Sequence, residues 1–234
     1  MGQKYYDVKS NPTAYSSSGF YFNWLVENKI NYNTTIKDAH SINVVLVQSA
    51  QKETYKGDNV TATDFPNDYI QTISGGTVTK GASDKTQWTI ASYLARMQYS
   101  YKGKYMASAA IRADGSSRFG KNNRWGYFPS ASLAWRISGE DFFMKAKSLS
   151  FVDDLKLRAS YGVTGNFQIG NYDHLSLMAL DNYVLGTGNG QLVNGYKPST
   201  IKNEDLSWEK NAMVNVGVDF ADVQRIAGTD CGLL

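Results

Sequence analysis

The sequence predicts an all-β fold of antiparallel, up-and-down strands. Three observations carry that prediction. Apolar and polar residues alternate with a period of two through most of the 234 residues. Few segments show a convincing helical period. Short turns and long loops alternate between the strands, which is how a meandering sheet or barrel is wired.

The first strand-like run is FYFNWLVENKINYNTTI. Phe20, Phe22, Trp24, Val26, Asn28, Ile30, Tyr32, Thr34 and Ile36 share one parity, while Tyr21, Asn23, Leu25, Glu27, Lys29, Asn31, Asn33 and Thr35 take the other. Successive side chains of a strand point to opposite faces, so one face is apolar and aromatic and the other mostly polar. KDAH (37–40) reads as a tight turn, and the run through Val44–Val47 returns as its partner. The segment 52–86, rich in Gly, Asn, Asp, Ser and Thr, reads as a long loop. KYMASAAIRAD follows the tight turn KGK (102–104), setting Tyr105, Ala107, Ala109, Ile111 and Ala113 against Met106, Ser108, Ala110, Arg112 and Asp114. A second long loop is expected over 114–123. The next strand places Trp125, Tyr127, Ala131, Leu133, Trp135 and Ile137 on one face, with Arg124 and Arg136 on the other. GEDFFMKAKSL (139–149) is the best helix candidate, set in a turn. LKLRASYGV divides Leu155, Leu157, Ala159, Tyr161 and Val163 from Lys156, Arg158, Ser160 and Gly162. The segment 164–207 reads as one long excursion with room for its own hairpin. WEKNAMVNVGVDF closes the series, with Trp208, Ala212, Val214, Val216, Val218 and Phe220 on the apolar parity and Lys210 the exception. About seven strands result.

Composition narrows the function classes. The charges sum to +3, spread along the chain, which does not argue for nucleic acid. A single cysteine, Cys231, rules out an intrachain disulfide framework and a multi-cysteine metal site. The start MGQKYYDVKSNPTAYSSS has no apolar core of a signal peptide. No run of eighteen apolar residues exists, which excludes a membrane helix but not membrane strands. Alternation alone suits two solvents for the apolar faces: the lipid around a barrel, or the opposing sheet of a soluble cell-envelope β-sandwich that binds glycans.

Catalytic and cofactor readings find little support. Glu140 with Asp141 and Asp153 with Asp154 pair carboxylates as glycosidases do, but in a turn segment they read as capping or solvated groups. His40 and His174 have no companions at ligand spacing, so no metal and no other cofactor is expected. GTGNG (186–190) lacks the strand-then-helix context of a phosphate loop. Arg118, Lys121 and Arg124 beside Phe119 and Trp125 make too small a patch for nucleic acid. No nucleophile constellation is present, and no enzymatic activity is expected.

Three ordered motifs decide between the two solvents: R-x-DGSSRFG-x-N-x-RWG-x-FPS beginning at Arg112, LRASYG-x-TGN-x-x-IGNY beginning at Leu157, and NEDLSWEK at 203–210. Over residues 88–220 the chain resembles the C-terminal half of SusC/RagA-type TonB-dependent outer-membrane transporters of the Bacteroidetes. The resemblance implies a stretch of a large transmembrane barrel that imports bulky nutrients, glycan or peptide fragments. Implied partners are TonB, acting through a plug that this sequence does not contain, a SusD-like surface lipoprotein over the extracellular loops, and outer-membrane lipid. Trp125, Tyr127, Trp135, Leu157, Tyr161, Val214 and Val216 are then expected to face lipid or its interfaces. Arg112, Asp114, Arg118, Arg124, Asn166 and Asn171 are candidates for substrate contact from lumen or loops. The expected organisation is a poorly defined segment at 1–19, partial barrel at 20–220, and an aberrant tail at 221–234 that loses alternation after Ile226 and ends in CGLL without an aromatic. The sequence thus reads as an internal piece of a transporter that does not transport by itself.

Overall fold

The computed structural model describes residues 12–222 apart from 68, 71, 147–151, 187 and 189. Among these residues nine strands follow one another: β1 (Ala14–Ile36), β2 (His40–Thr63), β3 (Thr77–Tyr101), β4 (Tyr105–Ser116), β5 (Trp125–Arg136), β6 (Val152–Asn166), β7 (Met178–Leu185), β8 (Gln191–Pro198) and β9 (Glu209–Asp222). The described residues also form a one-turn helix α1 (Asp141–Met144) and two short 3-10 turns (Ile73–Gly75, Ile137–Gly139). Seven strands form one open sheet in the order β1-β2-β3-β4-β5-β6-β9, and β7 with β8 forms a separate two-stranded ribbon. The predicted all-β class and the hairpin inside the 164–207 excursion are both present.

Contacts divide the chain into two compact units, 1–25 with 51–89 and 26–50 with 90–234. In the first, the ends of β1 and β2 and the start of β3 pair as a mostly polar ribbon. Asn23 donates to Glu53, Gln51 donates to Asn23, and the Trp88 indole donates to Glu53 at 3.0 Å. Ala62, Phe65 and Trp88 are its buried apolar residues. The loop expected over 52–86 is therefore mostly strand, with the connection confined to 64–76. Both parities of these strands carry polar residues, Lys and Thr among them, so no apolar alternation announced them. Backbone pairing and β-favouring Thr, Val and Tyr hold them instead.

The second unit has its faces set by register. Rows run straight across four strands on the apolar face: Tyr105–Trp135–Leu157–Val218, Ala107–Leu133–Ala159–Val216 and Ala109–Ala131–Tyr161–Val214. The alternate rows are polar, as in Ser108–Ser132–Ser160–Asn215, where the Ser108 and Ser132 hydroxyls lie 2.7 Å apart. Ion pairs sit on this second face, Arg136 with Asp154 at 2.8 Å and Lys156 and Arg158 with Asp219 at 2.9 and 3.2 Å. A one-residue slip would exchange the faces completely, so the pattern fixes the pairing.

Tight turns pin the same register. Lys37–Asp38 and Lys102–Gly103 both have positive φ at their two central residues, the geometry whose twist matches a hairpin. Gly103 reaches its φ of 66° without the steric cost another residue would bear. The expected turn-side helix is α1, shorter than the predicted 139–149; residues 147–149 lie outside the described residues. So do the tail 223–234, with Cys231, and residues 1–11 of the N-terminal segment.

Two assignments by alternation fail at the loop end. Trp208 precedes β9 rather than continuing it, and Val163 sits near the end of β6. Both pack against a small core around Phe119 and Phe128 rather than on the exposed apolar face. Beyond the last sheet partner of a strand, packing on loops decides where a side chain goes, and alternation loses its authority.

Candidate functional site

The loop end of the polar face holds the most elaborate arrangement in the chain. Phe119, Phe128 and Trp208 are buried together, with Ile90, Val163, Phe167, Ile169 and Leu206 packed around them. Trp208 is the hub: its ring lies 4.6 Å from Phe119, 5.3 Å edge-on from Phe128 and 6.1 Å from Phe167. Its indole N–H donates to the Arg124 carbonyl at 3.0 Å. Aromatic contacts of this kind add about 0.5–1.5 kcal/mol beyond burial, which suffices to seat loops that have little other core.

Hydrogen bonds then stitch three loops to one another. Arg118 donates from Nε to the Asn171 amide oxygen at 2.9 Å and from a terminal nitrogen to the Phe167 carbonyl at 3.2 Å. Its guanidinium also lies 5.2 Å from the centre of the Phe167 ring. His174 Nδ1 meets the Arg118 carbonyl at 3.1 Å. Gly120 donates its N–H to the Leu206 carbonyl, and Asn122 and Asn123 donate to the Asp205 carboxylate and carbonyl. A side chain at Gly120 would overlap the Glu204 carbonyl, so glycine permits the close approach of loops 117–124 and 199–208.

Below this crown, Arg112 chelates Asp114 from Nε at 2.8 and 2.7 Å and reaches Ser92 with a terminal nitrogen at 3.3 Å. Asp114 is buried, and the pairing meets the demand that a buried charge be compensated. Asn166 donates to Glu209 at 3.0 Å and accepts from the Gln168 N–H. A concave site of about 430 Å³ opens here, lined by Arg112, Asp114, Phe128, Ser130, Thr164 and Trp208 among others.

The structure therefore brings Arg118 to Asn171 and Arg112 to Asp114, while Asn166 pairs with Glu209, outside the predicted set. Arg124 enters through its carbonyl, which accepts from Trp208 and from the Ser116 N–H. Alternation missed the aromatic platform of Phe119, Phe128, Phe167 and Trp208. Its one signal was Phe128, a large aromatic on the parity that otherwise carries Arg112, Arg124 and Arg136.

The expected lipid-side residues occupy the apolar face. Trp125, Tyr127, Trp135, Leu157, Tyr161, Val214 and Val216 are all exposed there, Val216 to 80%. At the turn end the aromatics form a row, with Tyr101 stacked on Tyr105 and Tyr105 on Trp135, each pair 6.4 Å apart. Lys102 lies over the Tyr101 ring. Glu140 accepts from the Trp135 indole at 3.2 Å and from Lys104 at 3.3 Å. Its carboxyl is held below the usual range, first by the hydrogen bond with Tyr105, then by those from Trp135 and Lys104. Glu140 and Asp141 thus clamp a turn around Lys104, and Asp154 serves Arg136 and Ser138. His40 meets the Tyr99 hydroxyl at 2.8 Å. Among the described residues no group of three His, Cys, Asp or Glu is placed to hold a metal.

Comparison with known proteins matches this geometry. A family model described as TonB dependent receptor-like, β-barrel aligns with residues 2–229. TonB-dependent receptor P39 of Formosa agariphila is 39% identical over 208 residues, covering 88% of this chain and 19% of its own length. TonB-dependent receptor SusC of Bacteroides thetaiotaomicron is 39% identical over 145 residues, 61% of this chain and 14% of that protein. The RagAB peptide importer, solved in a closed-closed state, superposes with a TM-score of 0.81 at 26% identity over 95% of this chain and 24% of its own. The chain spans about a fifth of the length of the curated relatives it matches.

Proposed function

The chain belongs to the TonB-dependent receptor-like β-barrel family, and we propose that it forms part of the wall of an outer-membrane importer of bulky nutrients, glycan or peptide fragments. The apolar face carries this reading. On β4, Gly115, the partner of Trp125, stands ten positions after Tyr105. At about 3.3 Å per residue and a tilt of about 40°, the two aromatic levels lie about 25 Å apart, the height of the apolar band on an outer-membrane barrel. Tyr and Trp suit both borders because the ring is apolar and its O–H or N–H stays wet.

Work in such a protein is binding and gating, and the family is one of receptors rather than enzymes. Arg112, Asp114, Arg118, Arg124, Asn166 and Asn171 are proposed to shape the lumen and loop surface that meets the nutrient. All six do so through bonds that fix the wall and the loop crown, and Arg112 and Asp114 also line the concave site. Support for the substrate class comes from neighbours: RagAB is a peptide importer. TonB is proposed to act through a plug outside these residues, and a SusD-like lipoprotein to cover the loop end.

Seven strands in an open sheet do not enclose a lumen. In a strain lacking the receptor, the uninterrupted receptor carrying this segment should restore growth on a glycan or peptide source. The 234-residue chain alone should not. Uptake restored by the chain alone, without recombination, would refute the reading of it as wall.

A further inference from the structure

The first compact unit holds a cationic pocket that nothing in the function above uses. Phe20 and Phe22 of β1, Lys52, Thr54 and Lys56 of β2 and Lys85 of β3 surround a concavity of about 300 Å³. β1 and β2 each contribute alternate residues, so the group stands on one face of the ribbon. Lys52 is half-buried, while Lys56 and Lys85 are exposed. Phe20 and Phe22 leave 63 and 55% of their surface bare.

The three lysines have no acidic partner among the described residues. Glu53 has the opposite parity on β2, where it accepts from Asn23 and from the Trp88 indole. Asp84 has the opposite parity to Lys85 on β3. Asp58 shares the parity of Lys56 but lies one alternation further along β2, and no ion pair joins the two. Like charges set side by side across strands are destabilising, so the arrangement favours a bound anion. An ammonium group binds phosphate as a point charge, without the planar fork that arginine would supply.

The aromatic wall decides which phosphate. A free phosphate ion is hydrated on every side and gains nothing from Phe20 and Phe22, whereas a phosphorylated amphiphile buries apolar groups against them. Lysine suits such a border, because its stem lies along apolar surface while its charge stays in water. On β1 the two phenylalanines also share the parity of Ile30, which lines an apolar groove with Leu46, Tyr93 and Ile111.

We propose that Lys52, Lys56 and Lys85 bind the phosphate of a membrane-lipid headgroup, with Phe20 and Phe22 against the start of its acyl chains. This rests on the reading of that parity as the lipid-facing one. The test uses the complete receptor purified in detergent, with dioleoyl phosphatidate as the probe and dioleoylglycerol, the same lipid without its phosphate, as the comparison. Native mass spectrometry counts the bound lipid. Phosphatidate should bind in preference to dioleoylglycerol. The double variant Lys52→Gln, Lys85→Gln should weaken it about 25-fold, about fivefold for each lysine, and leave the heat-modifiable folded band unchanged. Lys80→Gln, on the opposite parity of β3, should bind as the unaltered receptor does. Undiminished binding by the double variant, or equal binding of dioleoylglycerol, overturns the site. Displacement by an equal concentration of inorganic phosphate would make it a site for free anions and overturn the lipid. Should Val216→Arg assemble as well as Asn215→Arg, the lipid-facing parity itself falls and takes this proposal with it.

Discussion

Val216 and Asn215 provide the sharpest test of which face meets lipid. Val216 is the central one of five outward residues on β9, between Ala212 and Phe220, and register sets it beside Ala159 on the apolar face. Asn215 pairs with Ser160 on the polar face. The eight residue steps from Ala212 to Phe220 span about 27 Å along the strand and about 20 Å across a membrane at a tilt of about 40°, so the proposed wall puts Val216 near mid-bilayer. An arginine on the lipid face costs about 2–4 kcal/mol there, against about 0–1 near the interfaces. Folded proteins are stable by only about 5–15 kcal/mol, so such a loss depletes the assembled population in a strand that already lacks a soluble core. Val216→Arg in the complete receptor should therefore reduce the folded, heat-modifiable band on a gel of outer membranes. Asn215→Arg should leave it intact, because its guanidinium enters a face that already carries Arg158 and Asp219. Equal assembly of the two variants would refute the assignment of the apolar rows to lipid, and the 25 Å band with it.

The two remaining predictions concern the ends of the sheet. Gly120→Ala places a methyl against the Glu204 carbonyl, a backbone atom that cannot swing aside, and should cost about 1–3 kcal/mol of local stability. Limited proteolysis within 117–124 and 199–207 of the complete receptor should accelerate, and unchanged cleavage would show that the loops are not seated through this contact. At the other end, the Glu140 carboxyl is held below its usual range by Tyr105, then Trp135 and Lys104. A depressed carboxyl contributes stability that is present above its unfolded pKa and lost as pH falls through its folded value. Hydrogen exchange in 137–146, corrected for intrinsic rates, should thus rise on acidification below the ordinary carboxylate range. Glu140→Gln should remove that dependence; its persistence in the variant would assign it to another group.

Legibility in the sequence followed the solvent contrast across each strand. Where one face is apolar and the other polar, as from Tyr105 to Ala113 or Leu155 to Tyr161, alternation gave both the strand and the side on which each residue lies. Where both faces carry polar residues, as over 52–63 and 77–86, the strands exist without a pattern, and Gly, Asn and Asp in them read as loop. The tight turns were legible from length and from Lys-Gly, since that geometry needs a positive φ. The candidate site was legible as residue types but not as contacts. Arg118 and Asn171 stand 53 positions apart, and Trp208 reaches an Arg124 carbonyl 84 positions away. No local spacing encodes such pairs; they follow from bringing β5, β6 and β9 side by side.

That distance dependence bears on what the predicted contact residues do. A side chain that recognises a ligand needs donors or acceptors left over after folding. Asn166 spends its amide on Glu209 and Gln168, and the Arg112 Nε is committed to Asp114, a buried carboxylate that would be left uncompensated if the arginine turned away. Using these groups for a nutrient would require exchanging a bond that already holds the wall. Their more economical role is to hold the shape of the concave site, which Phe128 and Trp208 line beside Arg112 and Asp114. On the proposed function, the string of charged residues in the motif is then chiefly architectural, and discrimination among nutrients would fall to the aromatic surface it supports.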